Sequence, residues 1–149
     1  MLKAALRSKS KVSNMSNQEK TLIVIKPDGF KKGLVGKIIS RFEDRGFQIV
    51  NLKLFQFDFD SARRFYEAHK DKHFFDELVS FICSGKTIGC ILEGNNAIST
   101  VRLMIGNTKS TEASPGTIRG DYGIGFTDNI IHASDSVESF IKESKIIFN

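Results

Sequence analysis

The chain has 149 residues, 40% of them hydrophobic and 26% charged, which is enough apolar side chain for one domain with its own core. No apolar run reaches the roughly 20 residues that a membrane span requires, so no membrane partner is expected. Residues 1–14 hold Lys3, Arg7, Lys9 and Lys11 and no acid, four of the five net positive charges, so the body is too nearly neutral to read as a nucleic-acid binder.

Residues 1–18 read as a flexible basic tail ahead of one domain over 19–149. A cytoplasmic chain is expected, with a mitochondrial location as the alternative if residues 1–14 act as a targeting segment. Cys83 and Cys90 lack metal-ligand spacing and read as reduced core residues. The run TLIVIK, residues 21–26, is a continuous apolar strand closed by Pro27-Asp28-Gly29. Leu34, Val35, Ile38, Ile39 and Phe42 recur at helical spacing up to Gly46. A second strand follows over 47–57, from the alternation Phe47, Ile49, Leu52, Leu54, and the helix between two successive strands suggests a split βαβ unit.

Asp58 or Asp60 caps a helix through Phe65 and Tyr66, and a further helix carries Phe74, Leu78, Ile82 and Phe75, Val79, Cys83 on adjoining faces. A third buried strand, residues 87–92, leads to a helix opened by Asn95 or Asn96 and closed by Gly106. Residues 107–128 form a long Gly-, Ser- and Thr-rich loop, a length that is usually functional in a compact domain. Ile130, Ile131 and Ala133 favour a fourth strand, which holds His132; Asp135 and Glu138 have the form of a capping box for a last helix packing through Val137, Phe140, Ile141 and Phe148. The order predicts an α+β domain, a ferredoxin-like α/β sandwich with a four-stranded antiparallel sheet, helices packed on it and a long loop before the last strand.

Among the polar residues, His132 stands at a strand-to-helix junction, where it is either a satisfied strand histidine or a group acting on an anion. Lys26 ends the first strand and is expected to emerge at the sheet rim. Arg102 lies on an otherwise apolar helix and needs an anion or a path to water, while Arg119 is flanked by Gly116 and Gly120 in the long loop that Thr108 begins. Two arginines, a lysine, a threonine hydroxyl and an asparagine amide are suited to a polyphosphate. The common P-loop and the kinase Gly-rich loop are both absent, which leaves a histidine nucleophile open.

KPDG over residues 26–29, KDKHFF over 70–75, the run 102–108, SPGTIRGD over 114–121 and NIIHASDS over 129–136 together resemble nucleoside diphosphate kinases, collinearly from about Glu19 onward. The resemblance implies a nucleoside diphosphate kinase domain over 19–149 that moves the γ-phosphate of a nucleoside triphosphate, typically ATP, to a nucleoside diphosphate through a phosphohistidine on His132 Nδ1. It implies that Glu143 and Ser134 orient the site, and that Lys26 and Tyr66 steady the transferred group. Arg102, Thr108, Arg119 and His69 would hold phosphates, and Lys26 and Asn129 the ribose. The base would lie against Phe74, with Leu78 behind it and Phe126 on its other face. No metal site of the protein's own is implied, Mg²⁺ being held mainly by the nucleotide phosphates.

A homo-oligomer is also implied, a hexamer first, with tetramer or dimer as alternatives. The contrasting reading is a catalytically weak nucleotide-binding or nucleic-acid-binding protein on the same fold. Ala133 replaces the family's common glycine, Ala68 a frequent acid, and Lys109-Ser110 a frequent Asn-Pro; the chain ends at Asn149 without the extension of many eukaryotic members. These departures bear on rate and assembly.

Overall fold

The computed structural model describes residues 18–149. Of the basic tail read over 1–18, only Gln18 falls within them, and it opens the first strand rather than preceding it.

Four antiparallel strands, β1 (Gln18–Ile25), β2 (Gln48–Phe55), β3 (Thr87–Asn95) and β4 (Ile131–Ala133), form one sheet in the order β2-β3-β1-β4. β3 separates β1 from β2, as a split βαβ unit requires, and the arrangement is the expected ferredoxin-like one. The helices are α1 (Pro27–Lys31), α2 (Val35–Asp44), α3 (Phe59–Phe65), α4 (Phe75–Ile82), α5 (Ala97–Ile105), α6 (Ile118–Tyr122) and α7 (Val137–Ile147).

β1 reads as an unbroken apolar run because both of its faces are covered. Ile23 and Ile25 join one core with Ile38 and Phe42 of α2 and Val101 and Ile105 of α5. Leu22 and Val24 point the other way, into a core with Phe65 of α3, Leu78 and Ile82 of α4, and Ile147 of α7. β1 is therefore a rigid central element, and its C-terminal end is a firm base for whatever follows it.

Several local expectations change. β2 is shorter than residues 47–57, bulges between Ile49 and Asn51, and leaves Val50, Leu52 and Leu54 about half exposed. Periodicity identifies a strand face but not what covers it, and β2 lies at the sheet edge. The last helix is capped by Ser136, whose Oγ accepts from Ser139 N at 3.0 Å, one residue beyond the expected Asp135. Of the packing residues expected on that helix, Phe140 and Phe148 meet the core, while Val137 and Ile141 are exposed and Ile146 and Ile147 pack in their place. Asp58 caps α3 in a reciprocal box with Ser61. Asn96 precedes α5 without a side-chain cap; Glu19 accepts from Ile98 N in its place. Residues 107–128 are not wholly irregular: they hold a 3₁₀ turn, Ser110–Glu112, and α6.

Candidate active site

The C-terminal end of β1 and the start of β4 are locked together. Lys26 N donates to Ile130 O at 2.8 Å, and Ile130 N donates to Asp28 Oδ2 at 3.0 Å. Ile131 N reaches back to Asn129 O at 2.8 Å, a γ-turn with Ile130 at φ 74, a conformation that a β-branched residue rarely adopts. Such strain costs about 1–3 kcal/mol and persists only where neighbours over-determine it. Gly29 permits the close approach, since a Cβ there would sit 3.1 Å from Ile130 O. The turn buries Asn129 and delivers His132 two residues later.

His132 pairs with Val24 across the sheet between the buried Ile131 and Ala133. Its Nε2 lies 2.8 Å from Glu143 Oε1, and Ser134 Oγ donates to the same oxygen at 2.7 Å. A carboxylate at that distance favours the Nε2–H tautomer and leaves the Nδ1 lone pair free. The Phe65 ring, edge-on at 4.7 Å between centroids, restricts the imidazole from the side. Ala133 is extended strand rather than left-handed backbone, so its methyl carries no conformational strain.

Facing this acceptor-rich corner are cations held without anions. Lys26 is buried, not solvated at the rim as its position in the sequence suggests. Its Nζ donates to Thr127 O at 3.1 Å and Asn129 Oδ1 at 2.8 Å, while Asn129 Nδ2 donates to Thr108 O at 2.8 Å. Burial, with Arg119 nearby, lowers the Lys26 ammonium to about 7. Arg119, 4% exposed, donates to Gly106 O at 3.1 Å and Ile131 O at 2.6 Å; its Nε is buried without a partner, and burial beside Arg102 lowers it to about 10. Arg102 takes the path to water, with Nη1 on Ala133 O at 3.1 Å. Tyr66 OH and His69 Nδ1 are also buried and unpaired. Burial near Glu143 holds the Tyr66 phenol above its ordinary range, so the hydroxyl stays a donor; burial, then Lys72 and His132, lowers His69. Buried donors without acceptors are costly unless something anionic fills the space between them.

That space is a cavity of about 390 Å³. Lys26, Tyr66, His69, Phe74, Leu78, Arg102, Thr108, Arg119, Phe126, Asn129, His132 and Glu143 all line it; Ser134, fully buried, lies behind Glu143. Phe74 and Phe126 do not face each other across a slot. Their rings touch edge to face, 5.1 Å apart at 73°. Sandwiching a base would need about 7–8 Å between parallel rings. Sequence reading missed Lys72, Asp135 and Ser139 on the cavity wall. Lys72 stands inside the quoted KDKHFF run, two residues before Phe74, and its Nζ lies 5.6 Å from the Phe74 centroid; that run was the available signal. Ala68, where an acid is frequent, lines the mouth and is exposed. Among the described residues no group of three His, Cys, Asp or Glu side chains is placed to hold a metal ion, and no helix is long and apolar enough to cross a membrane.

Comparison with known proteins agrees with this geometry. The family model for nucleoside diphosphate kinase matches residues 19–149. The nucleoside diphosphate kinase of Saccharolobus solfataricus is 49% identical over 131 residues, covering 88% of this chain and 95% of its own length. That of Methanocaldococcus jannaschii is 51% identical, with 88% and 94% covered. Among solved structures, the Aquifex aeolicus enzyme superposes with a TM-score of 0.87 at 47% identity, covering 89% of this chain and 96% of that one. The halophilic enzyme from Halobacterium salinarum in complex with CDP gives 0.86 at 41%, with 89% and 88% covered.

Proposed function

The chain belongs to the nucleoside diphosphate kinase family and is an enzyme of that activity, and we propose that it works by a ping-pong mechanism through His132. The observation that carries this reading is the pairing of His132 Nε2 with Glu143, which leaves Nδ1 as the nucleophilic nitrogen beside buried, unpaired donors.

Nδ1 attacks the γ-phosphorus of a nucleoside triphosphate; the bond from that phosphorus to the β,γ-bridging oxygen breaks, and the nucleoside diphosphate leaves. Glu143 stabilises the positive charge that the imidazole acquires as its Nδ1 bonds to phosphorus, and Ser134 keeps the carboxylate oriented. A terminal oxygen of a second nucleoside diphosphate then attacks the same phosphorus, the P–N bond breaks, and the lone pair returns to Nδ1. Lys26, Arg102, Arg119, Thr108 and His69 are assigned to phosphate oxygens, and Tyr66 with Lys26 to the group in flight. Asn129 with Lys26 is assigned to the ribose. The base is assigned to the apolar end of the cavity formed by Phe74, Leu78 and Phe126, where contact by stacking tolerates different bases. A pyrimidine diphosphate in the Halobacterium salinarum relative is consistent with that tolerance.

The cavity's donor set fits Mg²⁺ carried in on phosphate oxygens rather than caged by protein. Glu143 is engaged with His132 and Ser134, so Asp135 is the remaining carboxylate on the wall able to meet it through water. Bound there, the ion supplies charge neutralisation to the phosphates.

A homo-oligomer, hexamer first and tetramer or dimer second, is proposed from the half-exposed apolar side chains on the β2 edge. The cytoplasm is the proposed location, with residues 1–14 as an alternative targeting segment that lies outside the described residues; a reporter fused behind residues 1–18 distinguishes them. Initial rates with both substrates varied test the mechanism. Parallel double-reciprocal lines are expected, and intersecting lines would exclude a phosphoenzyme on the path.

A further inference from the structure

Arg41 lies on α2, outside the cavity, yet one guanidinium ties both ends of the segment that carries Arg119. Its Nη1 donates to Gly116 O at 3.2 Å, before α6 begins. Its Nη2 donates to Asp121 Oδ2 at 2.6 Å and to Tyr122 OH at 3.3 Å, at the end of α6, and its Cζ stands 5.0 Å from the Tyr122 ring centroid. Asp121 completes the ring by accepting Gly116 N on its other oxygen at 2.9 Å.

The segment needs such a tie. α6 has five residues, too few to hold a helix by its own hydrogen bonds. Gly116, at φ 95, brings the chain in through a left-handed conformation that glycine adopts without strain, so the entry is not braced by a side chain of its own. Within the segment, Thr117 caps Gly120 N at 3.0 Å and Ile118 is buried; these fix the axis at one end. At the far end the Tyr122 ring packs against the core, and Arg41 supplies the polar tie of Asp121 and of the Tyr122 hydroxyl to α2; Lys32 reaches Tyr122 O only at 3.5 Å. Arg119 sits between the two ends, and its fork is aimed by where the backbone of α6 stands.

We propose that Arg41 is a positioning residue for phosphoryl transfer, which sets the Arg119 guanidinium by clamping residues 116 and 121–122 to α2. It touches no substrate. A planar guanidinium can bond a carbonyl, a carboxylate and a hydroxyl at once and stack on the ring, which an ammonium cannot.

The inference rests on the phosphate role assigned to Arg119 and is tested by a double-mutant cycle on the full chain, with kcat/KM for a nucleoside triphosphate and diphosphate pair as readout and Tm measured in parallel. Arg41→Ala is expected to lower kcat/KM by about 10- to 100-fold. In an Arg119→Ala background the same change is expected to lower it less than about twofold further, because the group it positions is gone. Arg41→Lys, which keeps the charge and cannot span the three acceptors, is expected to recover only part of the loss. Equal fold losses from Arg41→Ala in both backgrounds, or a lowered Tm with unchanged kcat/KM, would overturn the positioning role while leaving that of Arg119 intact. Wild-type kcat/KM in Arg119→Ala would overturn both. Should Arg41→Ala not fold, the cycle with Arg41→Lys decides by the same criterion.

Discussion

The two edges of the sheet break the ordinary partition of side chains in opposite directions. At the β4 edge, groups that belong in water are inside: Lys26 and Arg119 are each 4% exposed and Asn129 is 1% exposed. At the β2 edge, groups that belong inside are in water: Leu52 and Leu54 are 51% and 54% exposed. Each edge costs the isolated chain stability, and the occupants proposed above, polyanionic phosphate at one and a second copy of the chain at the other, are of the kind that would offset that cost. At the β4 edge the strained turn at Ile130 is fixed by the backbone of Lys26 and the carboxylate of Asp28, and donors held by such a frame stabilise charge without reorganisation.

Replacing Lys26 by Met should separate stability from activity most sharply. Turnover should fall by about 10²–10³-fold, since a donor to the reacting group is lost. The folded protein should nevertheless become more stable. The Lys26 pKa in the fold, about 7, lies below its ordinary value of 10.5, so the charged form is disfavoured by folding. Below about pH 7 that cost is present in full, and it declines as pH rises from 7 to 10.5, where the unfolded chain also loses its proton. The gain in Tm on substitution should therefore be largest at pH 6 and shrink toward pH 10; a Tm that falls at pH 6 would contradict the burial of an uncompensated charge.

Arg119→Lys is the next largest expected effect, a loss of about 10- to 100-fold in kcat/KM with little change in Tm, because one ammonium cannot reproduce the fork. Equal activity of the two proteins would remove Arg119 from the phosphate site. The smallest effect on chemistry belongs to the other edge. Leu52→Lys with Leu54→Lys should shift the purified protein to smaller species on sizing while leaving turnover per chain nearly unchanged, since neither residue lines the cavity. An unaltered elution position would mean that β2 is not an assembly edge.

Much of the β4 edge was legible in the residues, and the β2 edge was not. His132 alone is ambiguous, but the motifs at residues 26–29, 114–121 and 129–136 fall together on one cavity, as their resemblance implies. The burial of Lys26 could not be read, because a strand-end lysine in a sequence gives no sign of Asn129 folding over it a hundred residues on. The touching rings of Phe74 and Phe126 depend on side-chain angles that no spacing encodes. The alternation in β2 identified a strand correctly, but exposure depends on what covers its face, and the spacing of one strand does not encode its place at the sheet edge. The cap shift from Asp135 to Ser136 is a one-residue choice between two competent side chains: Ser136 Oγ accepts from Ser139 N, and Asp135 Oδ1 accepts from the Ser139 hydroxyl.

Incubating the purified protein with ATP labelled in its γ-phosphate, without an acceptor, tests most directly whether His132 carries the phosphoryl group. An acid-labile, alkali-stable phosphoprotein that forms in the native chain, discharges on addition of a nucleoside diphosphate and is absent from His132→Ala is the expected result. Active protein that takes up no label, or label retained in His132→Ala, would contradict it.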